Sequence, residues 1–493
     1  MHLTDLIPNS PADGATTEIT GLAYDSRKVQ PGNLFAAWQG TRTDGHTHIP
    51  EALKRGAAAI LCEHPIPNTQ VPQCVVKDVR LTLAQAAQRF FHDPAASLKV
   101  VGITGTNGKT TTAHLVESLL QAANLSPGII GTLGTRYGGA EQPGTLTTPE
   151  SVDLVATLAK MQAAGSRSVV MEVSSHALHQ QRVAGVGFDV GVFTNLTQDH
   201  LDYHGTLQAH FEAKLRLFTE HLKPQGVAVV NVDDPFGQRI QAPRRLRVSS
   251  HADADAEVRL TNLQMSPQGI NLQVQTPRGL LTVHSPLMGR FNVENILAAV
   301  GVGEALSISP AHLVAGIGAL ARVPGRLERV SAGHEPLVLV DYAHTPDALD
   351  KALESVREIT RGRLFCVFGC SGDRDPTKRG PMGQAVMRGA TWAVLTNSNP
   401  RTEAPEAIAG AVETGLKAEG GMPSRTPCTH GYWVELERQA AIAMAVDAAT
   451  PEDAVLIAGK GHETYQVIGS THHAFDDRQQ ARQALDARGD HHA

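Results

Sequence analysis

The chain has 493 residues, a length typical of about three domains of roughly 100–200 residues, and its 41% hydrophobic content can supply buried cores. Its formal net charge of −6 argues against a nucleic-acid-binding surface, which needs clustered positive charge. The sequence contains no run of about 18 apolar residues. Its first residues lack the basic and then apolar stretches of a secretory signal. We therefore expect a soluble cytoplasmic protein without membrane insertion or a nucleic-acid partner.

The cysteines are few and scattered along the chain: Cys62, Cys74, Cys366, Cys370 and Cys428. Cys366 and Cys370 are close in sequence, but no second pair matches them, so the spacing disfavours a zinc site. Free thiols indicate a reducing compartment.

A glycine-rich loop follows the apolar run 100–104 and precedes a helical pattern. The loop reads Gly105-Thr106-Asn107-Gly108-Lys109-Thr110-Thr111. Its backbone N–H groups can surround phosphates at a helix N-terminus, while Lys109 adds charge and Thr110 offers a hydroxyl to Mg²⁺. The usual pattern has a glycine where this chain has Ile103. The context still predicts an ATP-binding loop, the alternative being an ordinary strand-to-helix turn.

Short apolar runs rich in Val and Ile alternate with helical patterns over most of the chain. This composition is typical of strands buried on both faces of a parallel sheet. We predict an α/β protein with a central P-loop ATPase domain, whose sheet is mostly parallel, and a doubly wound C-terminal domain. The predicted strands are 168–173, 190–193, 226–232, 337–340, 364–368, 392–395 and 454–458. Alternating residues between 248 and 283 predict inserted antiparallel strands.

Two boundaries divide the chain into three predicted domains. The segment His92-Asp93-Pro94 precedes the strand of the phosphate loop, and Val323-Pro324-Gly325-Arg326 precedes a new series of strands. The domains are therefore predicted as 1–93, 94–324 and 325–493.

Polar loops follow nearly every predicted strand of the second and third domains. In open parallel sheets, ligands bind beyond the carboxyl ends of the strands. The predicted ligand-binding loops begin at Glu172, Thr194, Asp341, Gly369, Asn397 and Gly459. We expect two such edges around a shared cleft.

Several side chains in these loops have more than one interpretation. Glu172 and His200 could hold Mg²⁺, although each taken singly is more often a surface or capping group. Arg374 and Arg401 could grip a carboxylate through two hydrogen bonds, or could form ion pairs that stabilise their loops. Lys214 looks like an ordinary helix lysine.

Ser174 precedes a predicted helix start. His176, Gln180 and Arg182 follow it and could present hydrogen-bond donors to an anionic or sugar ligand.

A set of ordered motifs covers essentially the whole chain, and together they are far more specific than any one of them. The set comprises Asp25-Ser26-Arg27, Gly45-His46, the phosphate loop, Thr147-Thr148-Pro149, Glu172-Val173-Ser174-Ser175-His176, Asp199-His200-Leu201-Asp202-Tyr203-His204-Gly205, Pro324-Gly325-Arg326, Asp341-Tyr342-Ala343-His344-Thr345-Pro346, Gly372-Asp373-Arg374-Asp375 and Gly459-Lys460-Gly461-His462-Glu463. The chain resembles the Mur ligases.

The resemblance implies a UDP-binding N-terminal domain, a central ATP-binding domain and a C-terminal amino-acid-binding domain. It implies an ADP-forming ligase that adds meso-2,6-diaminopimelate to UDP-N-acetylmuramoyl-L-alanyl-D-glutamate through an acyl phosphate, in peptidoglycan precursor synthesis. ATP and Mg²⁺ are the implied cofactors, and a monomer is expected.

The resemblance also implies roles for individual residues. Lys109, Glu172, His200 and Lys214 would be catalytic, and Mg²⁺ would be held by Thr110, Glu172, His200 and a carbamylated Lys214. The nucleotide would contact Gly105, Thr106, Asn107, Gly108, Lys109, Thr110, Thr111, Asn292, Asn295, Arg326, Asp341 and His344. The UDP-muramoyl dipeptide would contact Ser26, His46, Thr147, Thr148, Ser174, Gln180 and Arg182. Diaminopimelate would contact Arg374, Asn399, Arg401, Gly459 and Glu463.

One motif departs from the family pattern. The family's diaminopimelate motif reads Asp-Asn-Pro-Arg, whereas this chain has Ser398-Asn399-Pro400-Arg401. The lost carboxylate leaves the geometry of the loop open, while the retained Asn399 and Arg401 favour diaminopimelate over lysine.

Other functions remain as alternatives. The nearest are a lysine-adding Mur ligase and a ligase like folylpolyglutamate synthetase. A nucleotide switch or motor is a different class, although the chain lacks the Asn-Lys-x-Asp motif that reads guanine.

Overall fold

The computed structural model describes residues 1–40 and 43–489. Among them, no helix has both the length and the apolar composition needed to cross a bilayer. His472 and His473, which the sequence predicts to be solvated, are exposed. His491 and His492, for which we make the same prediction, lie outside the described residues.

Internal contacts divide the chain into two compact units. The first comprises Met1–Ser249, Asp255–Val258 and Ala298–Leu313, and the second comprises Ser250–Ala254, Arg259–Leu297 and Val314–Ala493.

The first unit begins with a small parallel sheet in the order β1-β2-β3-β4. Its strands are β1 (Gly21–Ala23), β2 (Asn33–Ala36), β3 (Ala59–Cys62) and β4 (Gln73–Val75), and its helices are α1 (Leu3–Leu6), α2 (Ile49–Lys54) and α3 (Val79–Phe90). Successive residues of β2 enter different cores: Leu34 packs with Leu83 of α3, and Phe35 packs with Ile49 of α2. Both faces of the sheet are therefore covered, as parallel sheets require.

The central sheet of the first unit has the order β12-β11-β10-β5-β9-β6-β7-β8. Strands β12 to β6 in this order pair in parallel, and β7 is antiparallel to both β6 and β8. Its strands are β5 (Lys99–Thr104), β6 (Pro127–Gly131), β7 (Gly134–Tyr137), β8 (Ala140–Gln142), β9 (Ser168–Glu172), β10 (Phe188–Phe193), β11 (Leu222–Asn231) and β12 (Arg245–Ser249). The helices of this part are α4 (Lys109–Ala122), α5 (Ser151–Ala163), α6 (Ser175–His179), α7 (Leu201–His204), α8 (Leu207–Thr219) and α9 (Pro235–Gln238). The mostly parallel sheet predicted for the central domain is confirmed.

Strands β10 and β11 begin earlier than predicted. Phe188 pairs with Leu222, and the register then shifts before Val190 pairs with Val227. After Leu222, residues 223–225 of β11 are polar or proline, so the continuous apolar pattern marks only the buried later part of the strand.

The antiparallel strands predicted between 248 and 283 are present as consecutive hairpins. They are β13 (Val258–Ser266), β14 (Gly269–Thr276) and β15 (Gly279–Ser285). Helices α10 (Phe291–Ala305) and α11 (Pro310–Ala319) follow them.

The C-terminal part of the second unit is a doubly wound sheet in the order β16-β17-β22-β18-β19-β21-β20, in which only β16 is antiparallel to its neighbour. Its strands are β16 (Glu328–Arg329), β17 (Leu337–Asp341), β18 (Leu364–Phe368), β19 (Trp392–Leu395), β20 (Met422–Pro423), β21 (Gly431–Val434) and β22 (Ala454–Ala458). A hairpin of β23 (Tyr465–Ile468) and β24 (Thr471–Ala474) follows. Helices α12 (Pro346–Ile359), α13 (Arg379–Gly389) and α14 (Pro405–Ala418) share one core, while α15 (Arg438–Ala448) and α16 (Asp477–Gly489) share another. The predicted doubly wound architecture is confirmed.

A buried ion pair joins the first residues of α15 and α16. The side chains of Arg438 and Asp477 are fully buried, and the guanidinium donates to both carboxylate oxygens at 2.7 Å. It also donates to the carbonyl of Asn397, which follows β19, and to the carbonyl of Ala458, the last residue of β22. Removing one partner would leave a buried charge without compensation.

We predict that Asp477→Ala lowers the free energy of unfolding by about 3–5 kcal/mol. Urea unfolding followed by tryptophan fluorescence measures this loss, because Trp392 and Trp433 lie in the same core. The matched control is Asp350→Ala, which removes an exposed pair with Arg388 and costs about 1 kcal/mol or less. Equal losses in the two variants would contradict the prediction.

Candidate functional site

The phosphate loop adopts the predicted strand–loop–helix geometry. Strand β5 ends at Thr104, and α4 begins at Lys109 after Gly108, which has a left-handed φ of 85°. Gly105 has φ +150°, and a Cβ there would lie 1.9 Å from Oγ1 of Thr194. Only glycine fits this close approach.

The segment after β10 supports the phosphate loop. Thr106 N–H donates to the carbonyl of Asn195 at 2.9 Å, and Asn107 N–H donates to Oδ1 of the same residue at 2.9 Å. Thr194 Oγ1 donates to the carbonyl of Asn107 at 2.6 Å. The loop backbone is therefore held by a neighbouring strand end.

Two lysines converge on this loop. Lys109 Nζ donates to the carbonyls of Gly105 and Thr106, both at 2.9 Å. Lys214 Nζ donates to the same Gly105 carbonyl at 2.8 Å, although its side chain is only 2% exposed. Burial holds the pKa of Lys214 well below its usual range, and the charge of Lys109 lowers it further, against the opposing effect of Asp199.

The burial of Lys214 differs from the sequence interpretation of an ordinary helix lysine. Phe211, Leu217 and Phe218 are buried on the same helix α8, three or four residues away. This spacing places Lys214 on the apolar face of the helix and is the signal that could have revealed it.

Glu172 ends β9, as predicted, and is 1% exposed. Thr110 Oγ1 donates to its Oε2 at 3.0 Å. Thr132 donates through its N–H to Oε1 at 2.8 Å and through Oγ1 to Oε2 at 3.2 Å. The carboxylate is thus fixed beside the first turn of the helix that follows the phosphate loop.

His200 precedes α7 with a left-handed φ of 55° and a half-exposed side chain. Its Nε2 lies 3.3 Å from Oδ2 of Asp199, and its ring lies 4.7 Å from that of His176. Partial burial lowers the pKa of His200, Asp199 opposes this, and the charges of Lys109 and Lys214 lower it further. His200 therefore belongs to the same electrostatic environment as the two lysines.

The residues predicted to bind the larger substrate form a connected network around Glu172. Thr147 and Thr132 share a hydrogen bond between hydroxyls at 3.1 Å. Thr148 Oγ1 donates to the carbonyl of Glu172 at 2.9 Å and accepts from the N–H of Ser174 at 3.1 Å. Ser174 also caps α6, as the predicted helix start requires.

Arg182 connects Thr148 of this network to Gln180 and Glu150. It donates to Oε1 of Gln180 at 2.7 Å and to the carbonyl of Thr148 at 3.0 Å. Its Nε also lies 2.9 Å from the carboxylate of Glu150.

Arg80 on α3 was missed by the sequence analysis. It donates to the carbonyl of Gln180 at 2.8 Å and to Glu150 at 2.7 Å, and its guanidinium lies 4.8 Å from the ring centre of Trp38. No local pattern distinguishes this arginine, because its partners lie far away along the chain.

Ser26 lines a cavity of about 480 Å³ in the N-terminal part of the first unit, and its Oγ donates to Glu51 at 2.8 Å. His46 follows Gly45, which also lines this cavity. Nδ1 of His46 lies 2.7 Å from Oδ1 of Asp44, within hydrogen-bond distance. The His46 ring stacks on that of His64, with 4.1 Å between the ring centres.

In the second unit, Asp341 ends β17 and accepts hydrogen bonds from Leu327 N–H at 2.7 Å and Ala343 N–H at 2.8 Å. Burial raises the pKa of Asp341, and the nearby Arg326 opposes this effect. The guanidinium of Arg326 lies 4.8 Å from the centre of the Tyr342 ring.

The other residues predicted around the nucleotide in this unit lie in two places. His344 Nδ1 is 2.8 Å from the carbonyl of Tyr342. Asn292 and Asn295 are buried in the first turns of α10, where Asn292 donates to the carbonyl of Met288 at 2.6 Å and accepts from Asn295 at 2.8 Å.

The loops after β19 and β22 bring together three of the residues predicted for diaminopimelate. Asn399 Nδ2 donates to Oε2 of Glu463 at 3.0 Å. Gly459, with φ +112°, donates to the carbonyl of Asp341 at 3.0 Å. Arg374 is exposed in the loop after β18.

Arg401 has a left-handed φ of 55°, and its buried Nε has no hydrogen-bond partner in the described part of the chain. Neither Arg401 nor Arg374 forms an ion pair with another described residue. The alternative interpretation of these arginines as loop-stabilising ion pairs is therefore not borne out within residues 1–40 and 43–489.

No cluster of three or more His, Cys, Asp or Glu side chains suitable for a metal ion occurs among the described residues. This absence does not weigh against Mg²⁺ at a nucleotide, because that ion usually takes only one or two protein oxygens together with phosphate and water.

Three family models match the chain in order. They are the Mur ligase family catalytic domain over residues 18–91, the Mur ligase middle domain over 103–303, and the Mur ligase glutamate ligase domain over 325–461. The chain is 45% identical to UDP-N-acetylmuramoyl-L-alanyl-D-glutamate–2,6-diaminopimelate ligase of Geobacter metallireducens, with 98% of each chain covered. The chain belongs to the Mur ligase family.

Other members and solved structures agree. The enzyme of the same name from Gloeobacter violaceus is 46% identical over 99% of both chains. A solved structure of a UDP-N-acetylmuramoyl-L-alanyl-D-glutamate–2,6-diaminopimelate ligase is 33% identical and superposes with a TM-score of 0.72 over 99% of both chains. A MurF ligase from Thermotoga maritima in complex with ADP has a TM-score of 0.63 at 21% identity, which shows the shared fold.

The three-domain α/β architecture and the family predicted from the motifs are confirmed. This Mur ligase is an ATP-dependent, amide-bond-forming enzyme rather than a nucleotide switch or motor.

Proposed function

We propose that this Mur ligase joins meso-2,6-diaminopimelate to UDP-N-acetylmuramoyl-L-alanyl-D-glutamate in peptidoglycan precursor synthesis. The observation that carries the proposal is the full-length similarity, at 42–46% identity, to eight relatives named for this reaction. We assign UDP binding to residues 1–93, ATP binding to 94–324 and amino-acid binding to 325–493. Because its substrates are soluble nucleotides and an amino acid, we place the enzyme in the cytoplasm, as a monomer.

The chemistry requires activation of a carboxylate, which is a poor electrophile. A carboxylate oxygen of the dipeptide attacks the γ-phosphorus of ATP, and ADP leaves. The amine of diaminopimelate then attacks the acyl carbon of the acyl phosphate, phosphate leaves, and the nitrogen loses a proton to give the amide. The acyl phosphate must be protected from water during these steps.

Residues at the carboxyl ends of β5 and β9 fit the phosphoryl transfer. Lys109 is proposed to neutralise charge on the transferred group, and Gly105 to Thr111 to surround the phosphates. The hydroxyl of Thr110 and the carboxylate of Glu172, 3.0 Å apart, are oxygen ligands of the kind that Mg²⁺ prefers. When bound, Mg²⁺ would supply charge neutralisation and alignment. His200 and a carbamylated Lys214 are proposed as the remaining metal ligands.

The other predicted residues keep the roles that the family resemblance implies. Asn292, Asn295, Arg326, Asp341 and His344 are proposed to contact the nucleotide. Ser26, His46, Thr147, Thr148, Ser174, Gln180 and Arg182 are proposed to bind the UDP-muramoyl dipeptide. Arg374, Asn399, Arg401, Gly459 and Glu463 are proposed to bind diaminopimelate.

Mass spectrometry of the product formed from ATP, the UDP-dipeptide and candidate amino acids tests the function. We expect the diaminopimelate adduct, and Lys109→Ala should lower its rate of formation by about 10²–10³ because a phosphoryl contact is lost. Lys160→Ala, on the exposed face of α5, is the control and should keep the normal rate. Formation of the lysine adduct alone, or phosphate release that needs neither substrate, would contradict the proposal.

Carbamylation of Lys214 predicts a second result. Lys214→Ala should lose ligation, and acetate or formate should restore part of it, because a small carboxylate can replace the carbamate. ¹³C NMR of enzyme equilibrated with labelled bicarbonate should show a carbamate signal that Lys214→Ala lacks. An active native enzyme without that signal would argue against the modification.

Arg401 predicts the choice of amino acid. At its far end diaminopimelate carries a carboxylate beside an ammonium, whereas lysine has the ammonium alone. A guanidinium attracts the carboxylate, and with lysine its repulsion of the ammonium is left without compensation. Stranding one member of a buried ion pair costs about 3–5 kcal/mol, which corresponds to discrimination of roughly several hundredfold or more. The ratio of kcat/KM for diaminopimelate over lysine should therefore be large and should collapse in Arg401→Ala. Arg401→Lys should retain part of it, and unchanged discrimination in Arg401→Ala would refute this role.

A further inference from the structure

Lys460 lies between Gly459 and Glu463 in the loop after β22, and its side chain is completely buried. A buried ammonium needs compensating partners. Its Nζ donates to Oδ1 of Asn399 at 3.1 Å and to Oε2 of Glu463 at 3.0 Å, and it lies 5.6 Å from the ring centre of Tyr465. Both hydrogen-bond acceptors are proposed diaminopimelate ligands, whereas Lys460 itself has no assigned role.

The lysine determines how the amide of Asn399 is turned. Two donors, Lys460 Nζ and the N–H of Val467 at 2.9 Å, point at Oδ1. The amide nitrogen therefore faces the carboxylate of Glu463. The reverse orientation would set the NH₂ group against an ammonium and an N–H, so it is excluded.

The same lysine leaves one face of Glu463 available. Oε2 of Glu463 accepts from Lys460 and from Asn399. No donor within residues 1–40 and 43–489 bonds Oε1, and the second amide proton of Asn399 likewise has no acceptor there. Oε1 of Glu463 can accept from an ammonium, and the second amide N–H of Asn399 can donate to a carboxylate. The pair therefore suits a ligand that carries an ammonium and a carboxylate on one carbon.

We propose that Lys460 is a positioning residue for the incoming amino acid. It holds Asn399 and Glu463 in the one orientation that presents an N–H to a carboxylate and a carboxylate oxygen to an ammonium. Burial lowers the pKa of Lys460, and Glu463 opposes this shift by favouring the charged form. The inference rests on the proposed use of diaminopimelate.

Lys460→Met tests the inference, because methionine approximates the length and volume of lysine without its charge. Steady-state kinetics should show the KM for diaminopimelate raised by about 10- to 100-fold, as expected for the loss of charged hydrogen bonds, with kcat less affected. The KM values for ATP and the UDP-dipeptide should stay unchanged. Lys417→Met, which removes an exposed lysine paired with Glu413, is the control and should alter none of these values.

A double-mutant cycle separates positioning from a purely structural role. If Lys460 acts through Glu463, then Lys460→Met combined with Glu463→Gln should raise the KM for diaminopimelate no further than Glu463→Gln alone. A structural role would instead give additive losses and would change kcat and all three KM values together. Lys460→Gln, a neutral donor, provides the same readouts if the methionine variant does not fold.

The outcomes distinguish this inference from the proposed function. If the native enzyme forms no diaminopimelate product, the proposed function fails. If the native enzyme uses diaminopimelate but Lys460→Met changes its KM by less than about twofold, or changes all three KM values alike, the positioning role is refuted.

Discussion

A parallel sheet ends all of its strands at one edge, and this constraint decides which loops of the chain meet. In the first unit, β5 lies between β9 and β10. Glu172 therefore reaches Thr110, and Asn195 supports Asn107, although these partners lie 62 and 88 residues apart. In the second unit, β22 lies between β17 and β18, so the loop from Gly459 to Glu463 is placed beside residues from much earlier strands. Strand order, rather than proximity in sequence, assembles both sets of polar residues.

Charges buried at these edges are compensated in different ways. Glu172 accepts hydrogen bonds from two threonines, and Lys460 is bonded to an amide and a carboxylate. Lys214 differs, because its amine bonds only the carbonyl of Gly105 and no carboxylate of the described chain lies within ion-pairing distance. Among the charges that act on its pKa, the like charge of Lys109 has the largest effect, and Asp199 opposes it. Conversion of this amine to a carbamate would turn that repulsion into attraction, which is a physical reason for the proposed modification.

The sequence predicted the features that depend on local pattern. The central strands β5, β9, β10, β11, β17, β18, β19 and β22, the phosphate loop and the antiparallel insertion follow from the spacing of apolar residues and glycines. Features that depend on contacts through space were missed. Arg80 and Gln180 stand 100 residues apart, and nothing near either of them indicates the contact. The burial of Lys460 likewise follows from the packing of the Asn399 loop and the Tyr465 hairpin around it.

The loop that departs from the family pattern shows how a lost carboxylate can be tolerated. The backbone of this loop is held by the hairpin of β23 and β24, not by the side chain at position 398. Gln466 Nε2 donates to the carbonyl of Ser398 at 3.0 Å, and Val467 N–H donates to Oδ1 of Asn399 at 2.9 Å.

The same hairpin forms hydrogen bonds with both the N–H and the carbonyl of Arg401. The N–H of Arg401 donates to the carbonyl of Val467 at 3.1 Å, and its carbonyl accepts from Gly469 at 2.8 Å. The left-handed backbone conformation of Arg401 costs on the order of 1–3 kcal/mol. Such a conformation persists only where the surrounding structure enforces it. These two hydrogen bonds impose it here. The backbone conformation from which the Arg401 side chain extends is therefore held by contacts that serine at position 398 leaves intact, whereas an aspartate at this buried position would add a further charge that needs compensation.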